Sequence, residues 1–105
     1  MEELVELRKV LVSAESYSWE SSLFLPDSMN WEIDSLCAVL NMDDLADDEE
    51  VPEFAVKNRL IYVLSIQEIQ DIVRNAYSQR SNCVDKNLFE AFLYYYKNDA
   101  FIQFE

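Results

Sequence analysis

Apolar residues change their spacing several times along the chain, and each change marks an element. Leu4, Leu7 and Leu11, with Val5 and Val12 beside them, keep helical spacing and predict a helix over residues 2–14. Ser16-Tyr17-Ser18-Trp19 then alternates polar with aromatic, and Ser22-Leu23-Phe24-Leu25 runs into Pro26; both predict short extended pieces. Leu36-Cys37-Ala38-Val39-Leu40 is a compact apolar run between Asp34 and Asn41. It reads as a buried strand, with the end of a helix begun near Asn30 as the alternative, because periodicity alone does not separate the two. Leu60-Ile61-Tyr62-Val63-Leu64, β-branched and aromatic, predicts a further strand.

The strongest local signal follows. Ser65-Ile66-Gln67-Glu68 fits a capping box, in which the serine hydroxyl takes the amide of Glu68 and the glutamate returns to the serine amide. Ile66, Ile69, Ile72, Val73, Ala76 and Tyr77 keep helical spacing as far as Gln79, with Gln67, Gln70, Asp71 and Arg74 on the other side. A second helix begins at Asp85 and carries Leu88, Phe89, Ala91, Phe92, Leu93, Tyr94, Tyr95 and Tyr96; being apolar nearly all round, it is expected to be central. Residues 100–104 either add a last edge strand or pack across the core. Neither a repeat nor a linker divides the 105 residues. The predicted fold class is α+β: a single domain with a small, mostly antiparallel sheet packed against two or three helices.

Charge changes the picture. Up to Glu53 there are fifteen Asp and Glu against only Arg8 and Lys9; beyond it six acids meet six bases, so the whole net charge of −13 belongs to the first half. Asp43, Asp44, Asp47, Asp48, Glu49, Glu50 and Glu53 crowd into one stretch without a base. Such a field steers a cationic partner and repels nucleic acid and anionic membrane. As the simpler alternative, the run is a solvated loop that confers solubility, a role that charges spread over both halves would serve equally well. Trp31, flanked by Asp27, Glu32 and Asp34, suits an interface anchor for a basic partner, and equally a place in the core.

Catalytic chemistry is poorly supplied. The chain has no histidine and no glycine, which removes the commonest neutral-pH base and any glycine-rich phosphate loop. Positions with positive φ are expected at Asn or Asp, with Asn41, Asn58, Asn75, Asn82 and Asn98 as candidates. Cys37 lies in an apolar run and reads as a small hydrophobe, while Asp85 near Cys83 is expected to raise its pKa. A calcium loop begun at Asp43 would have Leu45 at its third position and Asp48 at its sixth, so the EF-hand pattern fails. We therefore expect no enzyme activity, no cofactor and no metal. The acidic N-terminus does not read as a signal peptide and no apolar run is long enough for a membrane span, which gives a cytoplasmic expectation.

In order, Leu23-Phe24-Leu25-Pro26, Trp31, Leu36-Cys37-Ala38-Val39-Leu40, the Asp-rich segment, Ala76-Tyr77-Ser78-Gln79 and Tyr94-Tyr95-Tyr96-Lys97-Asn98-Asp99-Ala100-Phe101-Ile102 resemble the small acidic immunity proteins of bacterial contact-dependent growth inhibition systems. The resemblance implies a cytoplasmic antitoxin that binds a cognate toxin domain and blocks its active site. Such toxins are commonly nucleases, often acting on tRNA. The contact residues expected on this reading are Asp43, Asp44, Asp47, Asp48, Glu49, Glu50 and Glu53, with Asp27, Glu32, Asp34 and Trp31 in support. Two other classes share the acidity: a small adaptor, marked by an exposed apolar groove, and a nucleic-acid mimic that inhibits a DNA-binding protein, marked by acids recurring along the body.

Overall fold

The computed structural model describes residues 3–41 and 51–104. The elements are β1 (Val5–Glu6), α1 (Leu7–Val12), a 3₁₀ turn (Ala14–Ser16), β2 (Ser22–Pro26), β3 (Leu36–Leu40), α2 (Glu53–Lys57), β4 (Leu60–Ser65), α3 (Ile66–Gln79) and α4 (Asp85–Asn98). All strand pairs are antiparallel and the order across the sheet is β1-β3-β2-β4. The fold is α+β, as expected.

One face of the sheet carries α1, α3 and α4. Leu23 and Leu25 of β2, Cys37 of β3 and Val63 and Leu64 of β4 join Leu7, Val10 and Leu11 of α1, Ile66, Ile69, Ile72, Val73 and Ala76 of α3, and Leu88, Ala91 and Phe92 of α4 in the main core. Strict alternation would send Val63 and Leu64 to opposite faces. The β2–β4 register slips here: Leu23 faces Leu64 but Phe24 faces Tyr62, so Val63 is an extra residue and both neighbours reach the helical side. The other face carries Phe24, Ala38, Leu40 and Leu60, covered by Ala55 and Phe54 of α2.

Several elements depart from the sequence reading. The expected first helix is shortened because Val5–Glu6 pairs with Leu36 and Cys37 as β1. Lacking a side-chain cap, α1 finds carbonyls elsewhere: Leu7 N–H donates to Ser35 O (2.9 Å) and Arg8 N–H to Ile33 O (2.8 Å). Residues 16–19 form no strand; the carbonyl of Tyr17 instead accepts from Gln70 of α3. Helix α2 has no signal in the sequence, since five residues are too few to show periodicity. Helix α4 buries only Leu88, Ala91 and Phe92, so it is peripheral, and α3 holds the central position expected of it. Tyr94 is exposed and Tyr95 and Tyr96 are only half-buried, so the helix reads as more apolar than its burial is. For residues 100–104, read as an edge strand or as packing across the core, no strand forms among the described residues, and Ile102 and Phe104 pack against the main core. They are strapped to α3 by Gln79, whose Nε2 donates to Ile102 O (2.7 Å) and whose Oε1 accepts from Phe104 N–H (2.9 Å).

Among the described residues positive φ falls at Met29, Arg59 and Asp99, and at none of the five candidate asparagines. Asn58 and Asn98 stand one position earlier: each lies where the chain leaves its helix, and the left-handed residue is the next one. Asp99 closes α4 there, its N–H donating to Tyr95 O at 2.8 Å.

Candidate functional site

The acidic residues expected to meet a partner fall into three groups. Asp43, Asp44, Asp47, Asp48, Glu49 and Glu50 lie outside the described residues. Glu53 opens α2, exposed and paired with Lys57 one turn on (3.2 Å), so its charge is locally answered. Asp27, Glu32 and Asp34 are all exposed on the β2–β3 connection, and none of them forms an ion pair among the described residues.

That connection is held from several sides. Asp27 N–H donates to Arg59 O at 2.9 Å, and Glu32 N–H to Ser35 Oγ at 2.7 Å. The first amides of α1 take the carbonyls of Ile33 and Ser35. Trp31 supplies the remaining anchor. Only 9% exposed, it donates its indole N–H to Pro26 O (2.7 Å) and sets its ring edge-on to Tyr96 at 5.1 Å, beside Phe92 at 6.1 Å. Of the two roles open to it, Trp31 takes the core one. A ring of this size on an otherwise polar loop is more stable buried against α4, where it braces the connection that carries Asp27, Glu32 and Asp34.

Several charges elsewhere are answered internally. Arg8 sits 3.1 Å from Glu6 and 3.6 Å from Asp85. Arg74 holds Glu15 in a two-point pair at 2.6 and 2.9 Å and reaches Asp71 at 3.6 Å. These are exposed pairs, worth little to stability, and they lower the field at their own surfaces.

Candidate reactive groups are quiet. Cys37 is fully buried, its thiol donates to Val5 O at 3.3 Å, and burial pushes its pKa up to about 12. Cys83 is also raised, chiefly by desolvation, with Arg80 opposing; Asp85, the expected cause, is not the source. Tyr95 hydroxyl donates to Glu68 Oε2 at 3.4 Å, and its pKa is raised by burial first and by Glu68 second. Among the described residues no three His, Cys, Asp or Glu side chains gather to hold a metal ion. No described helix is long and apolar enough to cross a membrane.

A family model described as a domain of unknown function, DUF7716, matches residues 4–104. The chain belongs to the DUF7716 family. No curated protein and no solved structure matches it. The DUF7716 match spans all of the described elements, from the residue before β1 to the strap after α4.

One feature of this DUF7716 chain escaped the sequence reading. Trp19 is 60% exposed and borders a concavity of about 330 Å³ whose other walls are Gln67, Gln70, Asp71 and Arg74. The available signal was Gln70, a polar residue at i+4 from Ile66 and i+1 from Ile69, hence near the apolar stripe of α3.

Proposed function

We propose that this protein is an inhibitor of a basic protein partner, acting as an immunity protein that occupies the substrate-binding surface of a cognate toxin domain in the cytoplasm. The observation that carries the reading is the concentration of the whole −13 net charge before Phe54. Within that half, Asp27, Glu32 and Asp34 stand exposed and without ion pairs among the described residues, on a connection braced by Trp31. A connection whose backbone is braced in this way loses little backbone entropy when it docks, so more of each contact is retained as affinity.

The partner class we favour is a nuclease, with an RNA such as tRNA as its substrate. A nuclease cleft must be lined with Lys and Arg to hold phosphates, and clustered carboxylates compete with the phosphate backbone for those same groups. No group in the inhibitor needs to be chemically active, in keeping with a chain that has no histidine. The test is to look for a basic toxin domain encoded by a neighbouring gene and to co-express it with this chain. The pair should co-purify as a stable complex and the toxin should lose its activity. A toxin that remains fully active, or separates on gel filtration at moderate salt, would overturn the proposal.

A further inference from the structure

We infer that the concavity beside Trp19 is a subsite for an arginine side chain of the basic partner. The inference rests on the reading of this protein as a binder of a basic protein, and it adds a site in a part of the fold that the acidic connection does not include.

Gln70 decides the chemistry. It is 7% exposed, and its Nε2 donates to both Ala14 O and Tyr17 O at 3.1 Å. Both amide hydrogens are thereby committed, which fixes the plane of the carboxamide. Its Oε1 has no protein partner among the described residues, and no buried side-chain oxygen or nitrogen there is left unsatisfied, so this acceptor opens to solvent. Gln70 is one of the residues lining the Trp19 concavity. An acceptor on a carboxamide fixed by two donated bonds, beside such a hollow, can take a donor from a ligand.

The walls agree on which donor. Trp19 contributes an exposed indole, the best aromatic face for a cation. Asp71 contributes a carboxylate, and its contact with Arg74 is long, at 3.6 Å. Arg74 would favour an anion were its donors available, but Nε and Nη2 are held by Glu15 at 2.6 and 2.9 Å and Nη1 faces Asp71. Within the lining Asp71 and Arg74 cancel, and Glu15, paired to Arg74 beside it, leaves the neighbourhood with one net negative charge. A planar guanidinium can stack on Trp19 while donating to both Asp71 and Gln70 Oε1. A lysine ammonium has the charge but not the plane, so arginine is the better fit.

The experiment needs no toxin, so it separates this inference from the proposed function. N-acetyl-arginine amide is titrated into the ¹⁵N-labelled protein, with N-acetyl-lysine amide and inorganic phosphate as parallel arms. The arginine probe should shift the Trp19 indole and Gln70 side-chain signals along a saturating curve. Trp19→Ala, at an exposed position, should keep the fold and weaken that binding about fivefold, the scale of one exposed cation–π contact. Asp71→Asn should weaken it as well. Equal response in the wild type and Trp19→Ala, shifts scattered over the whole acidic surface, or saturation by phosphate in place of arginine would each overturn the assignment. If arginine binds here but no toxin complex forms, the site stands and the proposed function falls; if the reverse holds, the site falls alone.

Discussion

Gln70 and Trp31 solve the same physical problem, since each brings a polar group into an apolar interior and satisfies it on backbone carbonyls. Gln70 Nε2 serves Ala14 O and Tyr17 O, and Trp31 Nε1 serves Pro26 O. A buried carbonyl stripped of its donor costs about 1–3 kcal/mol. Gln70→Leu, nearly isosteric, should therefore lower stability by about 2 kcal/mol, read as a shift in the urea midpoint at constant slope. No loss would mean that water replaces the amide without cost. Neither partner set was visible in the sequence, because all three bonds end on backbone atoms that any residue could supply. For the same reason Trp31 could be read as an anchor for a partner: its acidic neighbours are adjacent in sequence, whereas Phe92 and Tyr96, which bury it, come about sixty positions later.

Elements whose cause is local were legible. In α3, Ser65 Oγ accepts from Glu68 N–H at 3.1 Å and Ser65 N–H donates to Glu68 Oε1 at 3.3 Å, the reciprocal pair that the sequence announces. Ser65→Ala should cost about 1 kcal/mol, measured by thermal or urea unfolding, and should leave the sheet intact. A neutral result would mean that tertiary packing alone fixes the start of the helix. Strands β2, β3 and β4 were likewise readable, because each is short, apolar and bounded by polar residues. Elements whose cause is distant were not. Leu36 and Cys37 recruit Val5–Glu6 as β1 and cut α1 short, and Gln70 holds the backbone at Tyr17 against α3. In α4, apolar composition overstated burial: Tyr94 is 40% exposed, while Tyr95 and Tyr96 keep partly open rings against Phe101 and Trp31. At the N-terminus of α4, Asn87 Oδ1 accepts from Val84 N–H at 3.0 Å, supplying a return bond without any serine to mark it.

At the scale of the whole molecule, charge is what the fold distributes. Arg8, Lys57 and Arg74 are drawn into pairs with Glu6, Glu15, Glu53, Asp71 and Asp85, while the connection bearing Asp27, Glu32 and Asp34 has no cation paired to it among the described residues. Of the expected contact set, these three and Glu53 are exposed, Glu53 paired with Lys57, and Trp31 supports the three on the connection. Like charges gathered on one surface oppose folding slightly, and they act at long range on a partner. Their effect should therefore fall on the rate of association more than on the lifetime of the complex. The most direct test is stopped-flow association with the cognate toxin domain across a range of salt concentrations. It should compare the wild type with a variant carrying Asp27→Asn, Glu32→Gln and Asp34→Asn, and with one neutralised at Asp47, Asp48, Glu49 and Glu50. Both variants should keep the wild-type melting temperature, associate roughly tenfold or more slowly at low salt, and show a flatter dependence on salt. Unchanged association rates with an unchanged salt slope in both variants would contradict the account and leave the acidic half as a device for solubility.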